Sequence, residues 1–249
     1  DYSSVQAYEK SVEPNRERLR EIIGAVDERV ANPHEWFSFF DESVFANQSD
    51  AFDPDVVRWD CMEGVGGEGI TLMSFEIDEK SPDLQPLVIL IPDASQTPEM
   101  HAGMAPGLPP QFQIGRRLAE SGCDVVILSL IDRSDEFSGN SNIRYTNQPH
   151  REFIYRMAFE MGRHVIGYEV QKVLAAIDAR RPADLAEPGS RENIAVVGVG
   201  EGGLLAMLAA AVDPRIDACL VSGYFQSREG VWHEPIYRNV WGQLTEFGD

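Results

Sequence analysis

At 249 residues, with 43% hydrophobic and 25% charged residues, the chain can hold one large α/β domain or two small ones around a sizeable core. Its charge is lopsided: 41 Asp and Glu stand against 21 Lys and Arg, a formal net charge of −20. That argues against nucleic acid and anionic membrane surfaces as partners, since both require a cationic face. Cys61, Cys123 and Cys219 are too few and too scattered for a disulfide framework or a zinc site, and Cys123 and Cys219 read as buried thiols. No apolar run approaches the length of a membrane span. The first residue is Asp1, as removal of a signal peptide or an upstream domain would leave it.

In chain order, Tyr2 to about Val30 reads as a charged helix with Pro14 in its first turn and Leu19, Ile22, Ile23 and Val26 on one face. Residues 1–55 are expected to form a helical and irregular N-terminal extension, in which Trp36, Phe37, Phe39, Phe40, Phe45 and Phe52 pack an irregular connection. Residues 56–249 are expected to form the main domain. Val56–Met62 and Gly69–Ile77 read as an antiparallel hairpin turning across Gly64, Gly66 and Gly67. Leu87–Ala94, LVILIPDA, and Asp124–Ile131, DVVILSLI, are continuous apolar runs of the kind buried on both faces of a parallel sheet. A Gly- and Pro-rich loop and a helix from about Gln111 to Ser121 separate them. Asp132–Pro149 is a long polar loop. His150–Arg180 then reads as one long helix, with Phe153, Met157, Met161, Val165, Val173, Leu174 and Ile177 near one face and pairs such as Glu152–Arg156 on another.

Asn193–Ala211, NIAVVGVGEGGLLAMLAAA, holds a buried strand, a glycine turn and an apolar helix starting near Gly202. Gly198, Gly200, Gly202 and Gly203 let the backbone turn sharply and the helix pack closely on the strand. Ala218–Ser222 follows as a last buried strand, and a short helix is expected around Pro235–Phe247. Strands alternating with helices specify an α/β fold, a mainly parallel sheet with helices on both faces. In such a sheet the ligand site lies beyond the carboxyl ends of the strands. Here those ends carry Asp93, Asp132 with Arg133, Gly200 with Glu201, and Gly223 with Tyr224.

Two chemistries share a strand, tight turn and helix of this kind. The run from Gly198 to Gly203 satisfies the dinucleotide pattern GxGxxG, but the next strand ends in Ser222-Gly223-Tyr224 without the acid that would bind ribose hydroxyls. The order of elements instead favours a hydrolase nucleophile elbow. With VVGVGEGGLLA at Val196–Ala206 and LVILIPDA at Leu87–Ala94, the chain resembles the α/β-hydrolase superfamily, in its dienelactone-hydrolase and acetyl-xylan-esterase-like branch, over roughly Val56–Asp249. More loosely, the whole chain is similar to a group of large exported bacterial proteins of that esterase type.

The resemblance implies a nucleophile at the position of Gly200 and an oxyanion-hole N–H from Glu201. It implies a second N–H from the loop after the first parallel strand, at Asp93, Ala94 or Ser95, and a triad acid and histidine late in the chain. It also implies an ester of a small molecule or carbohydrate as substrate, no cofactor, and a periplasmic or extracellular location. The sequence departs from this pattern twice. Gly200 has no side chain to form an acyl-enzyme. Only one convincing strand follows the elbow helix, so the fold is expected to be incomplete at its C-terminus, and no histidine stands at the late family position. Two functions follow as expectations: an ester hydrolase that activates water through Glu201 or Asp132, or a catalytically silent binding domain of the same fold. Asp132, Arg133 and Tyr224 are candidate substrate contacts, each explained as well by local packing or pairing. His101 is a candidate proton carrier or a plain surface histidine.

Overall fold

A computed structural model of the chain describes residues 2–31, 37–39, 49–75, 85–136, 148–179, 192–227, 230 and 233–248. The contacts within it fall into two units, one of Glu28–Arg133 with Gln171–Phe225, the other of Asp1–Asp27, Ser134–Val170 and Gln226–Asp249.

The first unit is built on a seven-stranded sheet. Its strands are β1 (Phe37–Phe39), β2 (Phe52–Met62), β3 (Val65–Ser74), β4 (Leu87–Ile91), β5 (Asp124–Leu128), β6 (Ile194–Val199) and β7 (Ala218–Ser222). They lie in the order β1-β2-β3-β5-β4-β6-β7. The strands β5, β4, β6 and β7 run parallel, as the βα alternation requires, and β3, β2 and β1 add antiparallel on one side. Every residue of β4 and β5 is buried, because helices cover both faces of that part of the sheet. The short helices α2 (Pro98–Ala102) and α3 (Ile114–Ala119) pack Ala102 and Ala119 against Ile70, Leu72, Val88, Leu90, Val125, Ile127 and Val197. The alternate residues Ile89, Ile91 and Val196 point to the opposite face, where α6 (Glu201–Val212) lies. The Trp59 indole N–H bonds Lys172 O (3.0 Å) on α5 (Val165–Ala179), a helix that continues into the second unit.

Several expectations need correction here. The hairpin turns at Gly64 alone (φ +74°), while Gly66 and Gly67 lie within β3. Phe52 opens β2 and is 2% exposed in the core rather than in an irregular connection. Trp36, Phe40 and Phe45, and the middle of the Asp132–Pro149 loop, lie outside the described residues. Strand β7 is not buried: among the described residues it lies at one edge of the sheet, and Ala218, Cys219, Leu220 and Ser222 are exposed. Cys219 is therefore a surface thiol, while Cys123 is half-buried.

In the second unit, helix α1 (Val5–Ile23) starts at a Ser4 cap whose hydroxyl accepts the Ala7 N–H (3.0 Å), so Pro14 falls in mid-helix and not in the first turn. The single helix expected from His150 to Arg180 is two, α4 (His150–Glu160) and α5. The break comes at Gly162, whose φ of +69° ends the first helix. His164 Nδ1 then accepts the Ile166 N–H (3.0 Å) at the start of the second helix, while its Nε2–H donates to Asn239 O (3.1 Å). The anticipated apolar stripe Phe153–Met157–Met161 is exposed, and the core side of α4 carries Arg151, Tyr155 and Ala158 instead. Arg151 donates to Glu169 Oε1 (3.0 Å), both fully buried. The tail forms a 3₁₀ turn at Ile236–Arg238 and helix α7 (Gln243–Phe247).

Candidate active site

The turn between β6 and α6 depends on glycine for steric reasons that can be read atom by atom. A Cβ on Gly198 would lie 2.0 Å from Gly202 O, and one on Gly202 would lie 2.1 Å from Ile91 O. The helix therefore crosses the strands at backbone contact. Gly200 itself takes φ +57° and ψ −118°, a conformation that L side chains adopt only under strain, and its N–H donates to Ser222 O (2.8 Å). Helix α6 begins at Glu201, so Gly200 is the last residue of the turn before the helix.

Around this turn the ends of β4, β5 and β6 bring a charged cluster together. The Glu201 N–H donates to Asp93 Oδ2 (3.0 Å), and the Ser95 N–H (3.1 Å) and hydroxyl (2.7 Å) donate to Asp93 Oδ1. Arg133 Nη2 donates to both Asp93 Oδ2 (2.8 Å) and Glu201 Oε2 (3.0 Å). The Glu201 side chain is fully buried, and those of Asp93 and Arg133 are 16% and 28% exposed. Burial alone would push the Asp93 carboxyl up, but the Glu201 N–H, the Ser95 donors and Arg133 outweigh it and hold it at about 2. Asp93 is thus an anion throughout the physiological range and a poor proton acceptor. Arg133 is also lowered by burial, and the hydrogen bond to Glu201 with the charges of both carboxylates more than reverses this, so it stays a cation.

The loop after β4 is braced from behind by His101, which is 1% exposed and donates from Nε2 to Gln96 Oε1 (2.8 Å). Burial holds this imidazole down at about 4, well below the ordinary histidine value. Both groups bind protons more readily in the unfolded chain, so stability falls with acid, in two separate windows. The His101 contribution is whole above the ordinary histidine value of about 6.5 and is lost as pH falls toward about 4. The Asp93 contribution, on the order of 2 kcal/mol, is whole above about pH 5 and is lost as pH falls from 3.8 toward about 2. Urea denaturation across pH 2–8 checks this: Asp93→Asn makes only the lower window shallower, the rest of it coming from Asp27, Asp213 and Glu246, whose carboxyls arginines also hold low, and His101→Gln flattens only the upper. A single window abolished by either variant would contradict the assignment.

Of the residues anticipated from sequence, Gly200, Glu201, Asp93, Ser95 and Arg133 meet in one place. Ala94 is buried behind them (3% exposed), and Asp132 lies exposed at the start of the connection after β5. Tyr224 is half-buried, with its Cβ 3.1 Å from where a Gly203 Cβ would stand. His101 is neither on the surface nor hydrogen-bonded to the charged cluster, since its Nε2 is spent on Gln96. The role that sequence reasoning missed is that of the Asp93 side chain. Its loop was considered as a source of N–H donors; its carboxylate is an acceptor of them. The position of an acid directly after an apolar strand was the available signal, but its partners lie 40 and 108 residues away.

Chemically, the turn offers no side chain at Gly200, and the Asp93 carboxylate is neutralised by an arginine. Among the described residues no group of three or more His, Cys, Asp or Glu could hold a metal ion, and no helix is long and apolar enough to cross a membrane.

No family model matches the chain, and no curated protein matches it in sequence. Among solved structures it is similar to a candidate acetyl xylan esterase from Bacteroides fragilis, at 17% identity and a TM-score of 0.56 over 83% of this chain and 52% of that one. It is also similar to a methylesterase, at 14% identity and a TM-score of 0.50 over 86% of this chain and 41% of that one. The chain thus spans about half the length of the first and two-fifths of the second. At such identities the likeness is one of fold, and the fold is that of the α/β-hydrolase type.

Proposed function

We propose that this chain is a carboxylic-ester-hydrolase-type domain of the acetyl-xylan-esterase-like branch that has lost nucleophilic catalysis and retains ligand binding. Its ligand class on this reading is an acylated carbohydrate. The observation that carries the proposal is Gly200: the turn keeps the positive-φ backbone of an elbow while the atom that would attack an ester carbonyl is missing. Glycine adopts this conformation without strain, so the turn's geometry is kept with no side chain there to do the chemistry. The esterase names of the structural neighbours support the substrate class by analogy of fold.

The test is hydrolysis of p-nitrophenyl acetate and of an acetylated xylo-oligosaccharide by the purified chain. The expected result is no burst and no turnover above buffer, together with saturable binding of the oligosaccharide by calorimetry. A second reading, ester hydrolysis by water activated at Glu201, rests on the place of that carboxylate at the start of the helix, directly after Gly200. Turnover that drops at least tenfold in Glu201→Gln would establish the second reading and remove the first.

A further inference from the structure

We propose that the Asp93 carboxylate is the resident occupant of the elbow's oxyanion position, so that ester chemistry there is blocked by two residues and not by the loss of a nucleophile alone. The inference rests on reading Gly200 as the nucleophile position. Two distances to one oxygen carry it. The Glu201 N–H, the donor just after the elbow, is bonded to Asp93 Oδ2 and so is turned away from any ligand. Separately, a Cβ built on Gly200 would lie 2.3 Å from that same oxygen and 3.0 Å from Asp93 Cγ, inside the distance at which real side-chain atoms are found. Asp93 therefore fills the space that a nucleophile's side chain would need as well as the hydrogen bond that an oxyanion would need.

The occupant is not loosely held. Ser95 fixes Oδ1 through both its N–H and its hydroxyl, and Arg133 fixes Oδ2. These donors are arranged for a carboxylate, with the backbone N–H groups and the guanidinium converging on its two oxygens. A substrate carbonyl, which carries less charge, competes poorly for that cradle. Glycine at position 200 is then the residue that this occupancy requires, since any side chain there meets Asp93.

A double-mutant cycle on the intact chain tests this without relying on activity. Gly200→Ser is expected to lower the melting temperature by several degrees more when Asp93 is present than in an Asp93→Ala background, since the backbone strain of a side chain at φ +57° is common to both. Asp93→Ser serves the same cycle if Asp93→Ala does not fold. Sodium acetate is expected to raise the melting temperature of the Asp93 variant saturably, while the unaltered chain shows no such rise and acetamide gives none in either. Additive losses around the cycle, or equal stabilisation by acetate and acetamide, would overturn the proposal. Ester turnover by the unaltered chain would sink the functional reading above and leave this cycle unaffected, because the cycle reads occupancy alone.

Discussion

Arg133→Gln is expected to destabilise the fold by about 3 kcal/mol, an effect well above that of an exposed ion pair. One guanidinium nitrogen is shared by Asp93 and Glu201, whose side chains are 16% and 0% exposed. Removing the cation leaves two carboxylates facing each other with little water to screen them. One of them then binds a proton more readily than it does in the unfolded chain. Protonation of the bare pair then relieves the repulsion, so the variant's deficit shrinks as pH falls. Urea denaturation at pH 7 and pH 5 provides the check: the variant should narrow its deficit at the lower pH. Pairing Arg133→Gln with Glu201→Gln should recover most of the loss, because it removes one of the two opposed charges. A loss below about 1 kcal/mol at pH 7 would mean that Arg133 behaves as a surface pair.

Gly202→Ala is expected to be at least as damaging, by about 3 kcal/mol or more, and for a different reason. Alanine is the better helix former, so in an open helix the change would stabilise by up to about 1 kcal/mol. Here the new Cβ would stand 2.1 Å from Ile91 O and 2.4 Å from Pro92 O, both backbone atoms of the central strand end. No rotamer change can make room, so α6 must lift from the sheet. The adjacent Gly203→Ala is the control. Its Cβ would meet the Val221 side chain at 3.0 Å and Tyr224 Cβ at 3.1 Å, where a few tenths of an ångström of movement suffice. Chemical denaturation should therefore separate two neighbouring, chemically identical substitutions by about 2 kcal/mol or more. Equal losses would refute the close-contact account of the elbow.

What could be read from the sequence follows the range of the forces involved. The strands β4, β5 and β6 were legible because burial on both faces leaves an uninterrupted apolar run. The elbow was legible because backbone contact demands glycine at fixed spacing. The break at Gly162 was not: Phe153, Met157, Met161 and Val165 keep a helical spacing across it, and a glycine weakens a helix by only about 1 kcal/mol, which His164 capping the next helix helps offset. The exposure of β7 was hidden because composition reports how apolar a strand is, and not whether another strand lies beside it. In the candidate site, each residue was visible at a strand end, but their joining was not. Arg133 reaches partners 40 and 68 residues away, and only the folded sheet sets those distances.

Strand β7 carries a consequence for the behaviour of the protein in solution. Ala218–Ser222 has no charged residue, no proline and no bulge, the devices by which proteins usually discourage strand-to-strand association at an open edge. A general deterrent is the net charge of −20, which makes molecules of this chain repel one another. Such repulsion is long-ranged in dilute buffer but reaches only about 10 Å at 0.1 M salt. Among the described residues, strand β7 thus relies on whole-surface charge, which ionic strength tunes, and on no side chain of its own.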